Sequence, residues 1–190
     1  HPVVGSPFPL DDVTLIAPNQ IADNALVTIH RSGRLLIDNK SETVAALEMT
    51  GGSVETGLGS LTLNGNVHVS APSLEFASIG GQLSLGSQSR VFDVDAGCHL
   101  RISASISGGA GAGITKQGAG SLELYDRENV YSGLTTVAAG RLSAYGANAT
   151  FGSTAAGTVV SPGATLQLSW VDIGNESLQL NGDVPGGPGP

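Results

Sequence analysis

The feature that most restricts the fold of this chain is its series of short segments in which apolar and polar residues alternate. The clearest is Leu61-Thr62-Leu63-Asn64-Gly65, which recurs as Leu178-Gln179-Leu180-Asn181-Gly182 and in looser form as Leu122-Glu123-Leu124-Tyr125 and Leu83-Ser84-Leu85-Gly86. Alternation with a period of two turns one face of a strand toward a core and the other toward water. No window of a dozen residues keeps the apolar spacing of a helix without a Gly or Pro. The pattern therefore predicts an all-β fold made of repeated units.

Strand patterns cover most of the chain and are separated by turns of varied Gly, Ser, Ala and Asn composition. The predicted strands are Val13–Ala17, Ala25–His30, Arg34–Asp38, Ala45–Thr50, Ser60–Asn64, Asn66–Ser70, Ser73–Ala77, Gln82–Leu85, Arg90–Asp95, His99–Ile106, Ile114–Gln117, Ser121–Tyr125, Leu134–Ala138, Arg141–Tyr145, Thr158–Ser161, Thr165–Trp170 and Ser177–Leu180.

Two architectures accommodate so many short strands: an antiparallel sandwich or barrel, and a parallel β-solenoid. The Asn-Gly pairs at 64–65 and 181–182 would suit tight hairpins. The loops, however, have no consistent two-residue form, and only 4% of the residues are aromatic, whereas sandwich cores usually contain several aromatic anchors. The solenoid is favoured, and about 20 to 25 residues per coil would give roughly eight coils and a rod about 40 Å long.

The predicted solenoid occupies residues 13–182. Residues 1–12 form a proline-rich leader or tether, in which Asp11-Asp12 suits a turn, and residues 183–190 form a Gly/Pro-rich tail. The chain begins with His1-Pro2-Val3, which leads us to expect a processed piece of a larger polypeptide.

Charge and cysteine content exclude several classes of function. The net charge of −8 disfavours nucleic acid, whose binding requires Lys and Arg to replace phosphate counterions, and it also disfavours anionic membrane surfaces. The single cysteine, Cys98, allows no internal disulfide and argues against a structural zinc site built on cysteines. No run reaches the roughly 18 apolar residues of a membrane-spanning helix.

One stretch of the sequence carries a recognisable motif. Gly113-Ile114-Thr115-Lys116-Gln117-Gly118-Ala119-Gly120-Ser121-Leu122-Glu123-Leu124 is followed by Asn129-Val130-Tyr131-Ser132-Gly133-Leu134-Thr135-Thr136-Val137-Ala138-Ala139-Gly140-Arg141-Leu142. Together these segments, at about 113–142, resemble the passenger-associated repeat of autotransporters. The coils at 151–168 resemble those that usually follow such a repeat.

The resemblance implies a right-handed, single-stranded parallel β-helix, export across the bacterial envelope and a role at the cell surface. Within the motif, Gly118 and Gly120 are expected at corners that a Cβ would obstruct. Lys116 is expected to point outward and to pair with Glu123 on an adjacent strand.

Candidate chemical groups are sparse. The four histidines, His1, His30, His68 and His99, lack the spacing of a metal site and are predicted to face solvent. Cys98-His99 is the only adjacent Cys/His pair, but neighbours on a strand point in opposite directions, so Cys98 is predicted to be a small buried residue.

Asp93 and Asp95 form the most enzyme-like feature, because they share one face of a strand. Such a pair suits either Ca²⁺ or a carbohydrate-active β-helix, although both uses require further groups on adjoining coils. The glycine-rich run 108–113 lacks the Gly-Lys-Ser/Thr of a phosphate loop and is predicted to be a corner.

The sequence therefore predicts a non-catalytic, extracellular or surface-located structural module with no catalytic, cofactor or metal site. Its expected role is a rod for display, adhesion or fibre assembly that associates head to tail through its terminal coils, with a surface glycan or cell-envelope component as a further partner. The alternative function is carbohydrate cleavage or glycan binding through Asp93 and Asp95.

Overall fold

The computed structural model describes residues 11–70, 76–125, 127–147 and 150–182, and every regular element in them is a β-strand. The strands are β1 (Asp12–Thr14), β2 (Leu26–Ile29), β3 (Arg34–Leu36), β4 (Ser41–Val44), β5 (Ala46–Met49), β6 (Ser53–Glu55), β7 (Ser60–Leu63), β8 (Val67–Val69), β9 (Ala77–Ser84), β10 (Arg90–Val94), β11 (His99–Ser107), β12 (Ile114–Gln117), β13 (Ser121–Tyr125), β14 (Thr135–Val137), β15 (Arg141–Tyr145), β16 (Thr158–Val160), β17 (Thr165–Ser169) and β18 (Leu178–Leu180). No membrane-crossing helix is found among these residues.

All strand pairs are parallel, and each joins a strand to one in the next coil. The first face of the solenoid has the order β1-β3-β6-β9-β11-β13-β15-β17, and another face has the order β2-β5-β8-β10-β12-β14-β16-β18. A third face is formed by β4, β7 and the second halves of β9 and β11. The β-solenoid predicted from the sequence is confirmed, and the antiparallel sandwich is excluded.

The coil length agrees with the sequence prediction. Successive rungs on the first face are separated by as few as 19 residues, from Arg34 to Ser53, and by as many as 25, from Ser53 to Ser78. Eight rungs on each of two faces make about seven turns. At about 4.8 Å per rung the stack is about 34 Å long.

The core consists of inward-facing columns in which one residue from each coil stacks on the next. The longest aliphatic column on the first face is Val13, Leu35, Val54, Ile79, Ile102, Leu124, Ala144 and Leu168. The six interior members are buried, while the end members are 58% and 41% exposed. Burial of this kind contributes about 25 cal/mol per Å² of apolar surface, so stability accumulates along the axis.

Several strand predictions differ from the structure. β4 and β6 were not predicted, because their three or four residues contain Glu42 and Glu55 and provide few apolar positions. The predicted strand Ser73–Ala77 lies largely outside the described residues, and β9 instead runs continuously through Gly80 and Gly81. At Gly81, φ is +93°, so the chain turns from the first face to the third without leaving the strand.

Asp12, for which the sequence suggested a turn, lies in β1, the first strand of the described residues. Nε of Arg34 donates to its Oδ1 at 2.7 Å. This hydrogen bond holds the pKa of the Asp12 carboxyl below its ordinary value. The leader at 1–10 and the tail at 183–190 lie outside the described residues.

Candidate functional site

The prediction that Lys116 points outward is wrong. Lys116 is completely buried and occupies an inward column between Phe92 of β10 and Val137 of β14. Its direction follows from the strand alternation, because Ile114 and Lys116 share a side and Ile114 is also buried. The motif therefore places a cation inside an otherwise apolar column.

The ammonium of Lys116 is accommodated by backbone oxygens at the adjoining corner. Nζ donates to the carbonyl of Gln117, to that of Gly118 at 2.8 Å and to that of Ala139 on the next coil at 3.3 Å. Burial lowers the pKa of Lys116 to about 8, and the charge of Asp93 opposes this shift. Lys116 thus links two successive corners of the repeat.

Gly118 and Gly120 form the corner itself, as the sequence predicted. Gly118 has φ of +73°, and a Cβ there would lie 2.2 Å from the carbonyl oxygen of Val94 on the preceding coil. At Gly120 a Cβ would lie 2.3 Å from the carbonyl oxygen of Asp95. Glycine is needed because adjacent coils approach at their backbones.

The asparagine of the motif connects three coils. Oδ1 of Asn129 accepts from the backbone N–H of Ile106 at 2.9 Å on the coil before, and Nδ2 donates to the carbonyl of Thr150 at 2.7 Å on the coil after. Asn129 is 4% exposed, so these bonds satisfy polar groups that water does not reach. The side chain adds to the backbone hydrogen bond from Val130 to Ile106, on a part of the third face that has no regular strand.

The tyrosine of the motif fills the interior of the same coil. Tyr131 is completely buried; its hydroxyl lies 2.7 Å from Oγ1 of Thr135, which donates to the carbonyl of Phe151 at 3.0 Å. Burial raises the pKa of Tyr131 above its ordinary value. Lys116, Asn129 and Tyr131 are polar residues of the motif, and each has a structural role inside the solenoid.

A stack of planar side chains runs along the outer surface of the first face. The guanidinium of Arg101 lies 4.5 Å from the ring centre of Phe76 and 4.7 Å from that of Tyr125, and the rings of Tyr125 and Tyr145 stack at 4.8 Å. These separations equal the spacing of the coils. At the next rung the register places Ser169, which carries no ring to extend the stack, beside Tyr145.

Glu123 belongs to this outer cluster, and its charged partner there is Arg101 and not the predicted Lys116. One of its oxygens accepts from the Tyr125 hydroxyl at 3.1 Å, and its carboxylate lies 3.7 Å from Nη2 of Arg101 and 3.9 Å from Nδ1 of His99. The pKa of Tyr125 is raised by burial and by its hydrogen bond to Glu123. Sequence reasoning missed this cluster, because its members are 20 or more residues apart except where they share a strand.

The structure places Asp93 and Asp95 beside His68. Asp93 pairs in register with His68, and Oδ1 of Asp95 lies 3.5 Å from Nε2 of the same histidine. Within the described part of the chain, no group of three or more His, Cys, Asp or Glu side chains is arranged to hold a metal ion. The carbohydrate-active alternative stays a prediction, with His68 as the additional group that the fold supplies.

The remaining candidate residues are Cys98, the histidines and the glycine-rich run. Cys98 is buried, as predicted, and burial raises the pKa of its thiol, so the reactive thiolate is disfavoured. His30 and His99 are exposed and His68 is half-buried, in keeping with their predicted positions on strand surfaces. The glycine-rich run 108–113 forms a turn between β11 and β12, with no helix after it.

Both ends of the described solenoid expose inward-facing apolar residues. At the first end an opening of about 340 Å³ is lined by Val13, Ile21, Val27 and other residues. At the last end an opening of about 320 Å³ is lined by residues that include Val160, Leu166 and Leu180. In the described chain β1, β2, β17 and β18 each pair with a strand on one side alone.

Comparison with known proteins finds a family model that matches part of the chain. Residues 114–144 match the model of the passenger-associated-transport-repeat, which confirms the resemblance seen in the motif. The matched segment spans β12 to β15 and contains Lys116, Gly118, Asn129 and Tyr131. No curated protein and no solved structure has significant similarity to the chain.

Proposed function

We propose that this chain is a stiff, non-catalytic structural module of a secreted or surface-displayed protein, comparable to the passenger region of an autotransporter. The observation that carries the proposal is the uninterrupted parallel pairing of eight rungs on two faces around one core. A solenoid of this kind resists bending because every coil is hydrogen-bonded to its neighbours along the axis.

The passenger repeat supports the same role. Three of its polar residues, Lys116, Asn129 and Tyr131, are directed into the solenoid, where they form hydrogen bonds with backbone or side-chain partners. A motif used in this way maintains the stacking of the coils, because the polar groups of these side chains form their hydrogen bonds within the fold. The passenger-associated repeat also suggests that the module acts outside the cell or at its surface.

The rod is tested by small-angle X-ray scattering together with surface labelling. We expect the scattering profile of the purified chain to fit the described solenoid, with its stack of about 34 Å. In intact cells of its source, an antibody against the chain should bind before permeabilisation, and external protease should remove the signal. A scattering profile that the solenoid does not fit, or labelling only after permeabilisation, would contradict the proposal.

A second candidate function, glycan recognition by an adhesin, is supported by the outer stack on the first face. Tyr145 ends that stack beside Ser169, so a sugar ring can continue the series of planar groups, and the charges of Arg101 and Glu123 compensate each other. Ring stacking with little net charge suits a neutral saccharide. This surface is distinct from Asp93 and Asp95, which lie on another face.

A glycan array with matched variants tests this second function. If the stack binds sugar, Tyr145→Ala should weaken binding of the glycans about two- to tenfold, since ring stacking contributes about 0.5 to 1.5 kcal/mol. Arg101→Ala, which removes the support for Tyr125, should weaken binding less. His30→Ala alters an exposed side chain on another face and serves as the control. If His30→Ala lost as much glycan binding as Tyr145→Ala, or if the parent chain bound no glycan, the idea would be refuted.

A further inference from the structure

We infer that Gln167 and Ser169 form, with the free face of Tyr145, a subsite for one neutral pyranose ring with equatorial hydroxyls, and that Gln167 determines which sugar the subsite accepts. The inference rests on the second proposed function, glycan recognition, and specifies its ligand. The arrangement of the outward side chains around the ring of Tyr145 carries it.

The rings of the outer stack lean over one outward column of the first face. In register on β11, β13, β15 and β17, this column consists of Arg101, Glu123, Ser143 and Gln167. The hydroxyl of Tyr125 donates to Oε2 of Glu123 at 3.1 Å, so the ring of Tyr125 lies toward the column. Tyr145 stacks on Tyr125 with 20° between the ring planes, which brings its ring over Ser143. Ser143 is accordingly only 1% exposed, although it points outward.

The next position along the stack has no ring and is bordered by two polar side chains. It lies over Gln167, the next residue of the column, and beside Ser169, which is in register with Tyr145. Both side chains are half-buried, and neither forms a hydrogen bond within the described part of the chain. The Gln167 amide and the Ser169 hydroxyl can each donate and accept. All these groups point outward from the side of the solenoid, so the end of the stack does not form this position.

A second aromatic side chain borders the same position. Trp170 follows Ser169 directly, and the backbone N–H of Gly146 donates to the carbonyl of Ser169 at 3.1 Å, which places Trp170 beside a residue without a side chain. Trp170 is exposed and has φ of +61°, in the left-handed region, where a bulky L-residue is strained. The strain belongs to the corner itself, and strained residues of this kind cluster at ligand sites. Trp170 can therefore add an aromatic contact to a ring held by Tyr145.

These surroundings fit a sugar by its faces and by its edge. A pyranose with equatorial hydroxyls presents C–H groups on its faces, and such faces stack on aromatic rings. Because the tyrosine rings follow one another along the solenoid axis, a ring that continues the stack turns its edge toward Gln167 and Ser169. The hydroxyls of the sugar lie on that edge, where both polar groups can bond them. The net charge of −8 disfavours an anionic sugar, so the ligand is neutral, as in a cellulose chain.

Isothermal titration calorimetry with cellotetraose, the neutral glucose tetramer of cellulose, tests the subsite. Tyr145→Ala and Gln167→Leu should each weaken binding about two- to tenfold, the loss expected for one stacking contact or one hydrogen bond. Gln82→Leu is the matched control, because it makes the same change at an exposed glutamine of the third face, and it should leave the affinity unchanged. Circular dichroism checks that each variant is folded.

Mannotetraose with the same linkage tests whether Gln167 determines specificity. One hydroxyl of each mannose ring is axial, so the parent chain should bind this tetramer more weakly than cellotetraose. Gln167→Leu should reduce the preference for cellotetraose, because it removes the hydrogen bonds that read the edge of the ring. Tyr145→Phe keeps the aromatic face and should keep the preference.

The inference is overturned if Gln167→Leu binds cellotetraose as tightly as Gln82→Leu does, or if it weakens both tetramers equally, as a purely structural role would. Glycan recognition would survive that result if glycans of the array still bound the parent chain and were weakened by Tyr145→Ala. If the parent chain bound neither cellotetraose nor any glycan of the array, the inference and the second function would fail together.

Discussion

Gly118→Ala is expected to reduce the free energy of unfolding by at least about 3 kcal/mol. About 1 to 2 kcal/mol of this comes from placing an L-residue at φ of +73°, which is in the left-handed region. The rest comes from the new Cβ, which would lie 2.2 Å from the Val94 carbonyl oxygen and force two coils apart. Urea denaturation followed by circular dichroism measures the loss.

Gly163→Ala is the matched control for this change. Gly163 has φ of +75°, close to that of Gly118, but a Cβ there would meet no atom within 4 Å. Its expected cost is about 1 to 2 kcal/mol, from backbone strain alone. If the two variants lost the same free energy of unfolding, close packing of the coils at the corner of the repeat would contribute nothing to stability.

If Gly118→Ala does not fold, Gly120→Ala gives a milder measure of the same packing. Gly120 is absent from the residues with positive φ, so its variant tests the backbone approach to Asp95 without conformational strain. We expect a loss between those of the other two variants.

The second large effect concerns pH and the buried Lys116. Its pKa is about 8 in the folded chain and about 10.5 when unfolded. Between these values the unfolded chain holds more protons, so the free energy of unfolding rises with pH by a total of about 3 kcal/mol. Below pH 8 the full cost of burying the ammonium is present, and above pH 10.5 it is relieved.

Lys116→Met isolates this effect. Methionine has a similar length and suits a column between Phe92 and Val137, but it has no proton to release. The difference in the free energy of unfolding between the parent and Lys116→Met should therefore shift by about 3 kcal/mol in favour of the parent as the pH rises from 7 to above 10.5.

Comparing the two chains also removes the effect of Tyr131. Burial raises the pKa of that phenol, so its ionisation in the unfolded state destabilises both chains equally at high pH. Urea denaturation of both chains at several pH values provides the measurement. Parallel stability curves would mean that the Lys116 ammonium is as stable inside the solenoid as it is in water.

Many strands of the solenoid were predictable, because they depend on patterns among residues that are close together in the sequence. Ile114–Gln117, Ser121–Tyr125 and Arg141–Tyr145 were predicted with the bounds that the structure has, since their alternation is regular and a glycine precedes each of them. The coil length and the corner glycines followed from the same repeated pattern.

The direction of Lys116 and the cluster around Arg101 were not predictable in this way. The side chain of a lysine on a strand is ordinarily expected to point into water. The ammonium of Lys116 instead donates to the carbonyls of Gln117 and Gly118 and to that of Ala139, which only the corner of the next coil supplies. The outer stack requires Phe76, Arg101 and Tyr125 to come into line from three coils. Small changes in coil length, from 19 to 25 residues, decide such alignments.

By itself, the sequence determined that this chain forms short strands separated by glycine corners and that it carries a passenger-type repeat, because period-two alternation and left-handed turns are properties of neighbouring residues. Only the tertiary structure decided which side chains meet from coil to coil, including the buried Lys116, the outer stack and the columns exposed at both ends. These contacts depend on the register between strands about 20 residues apart, and that register is set by the packing of the whole core.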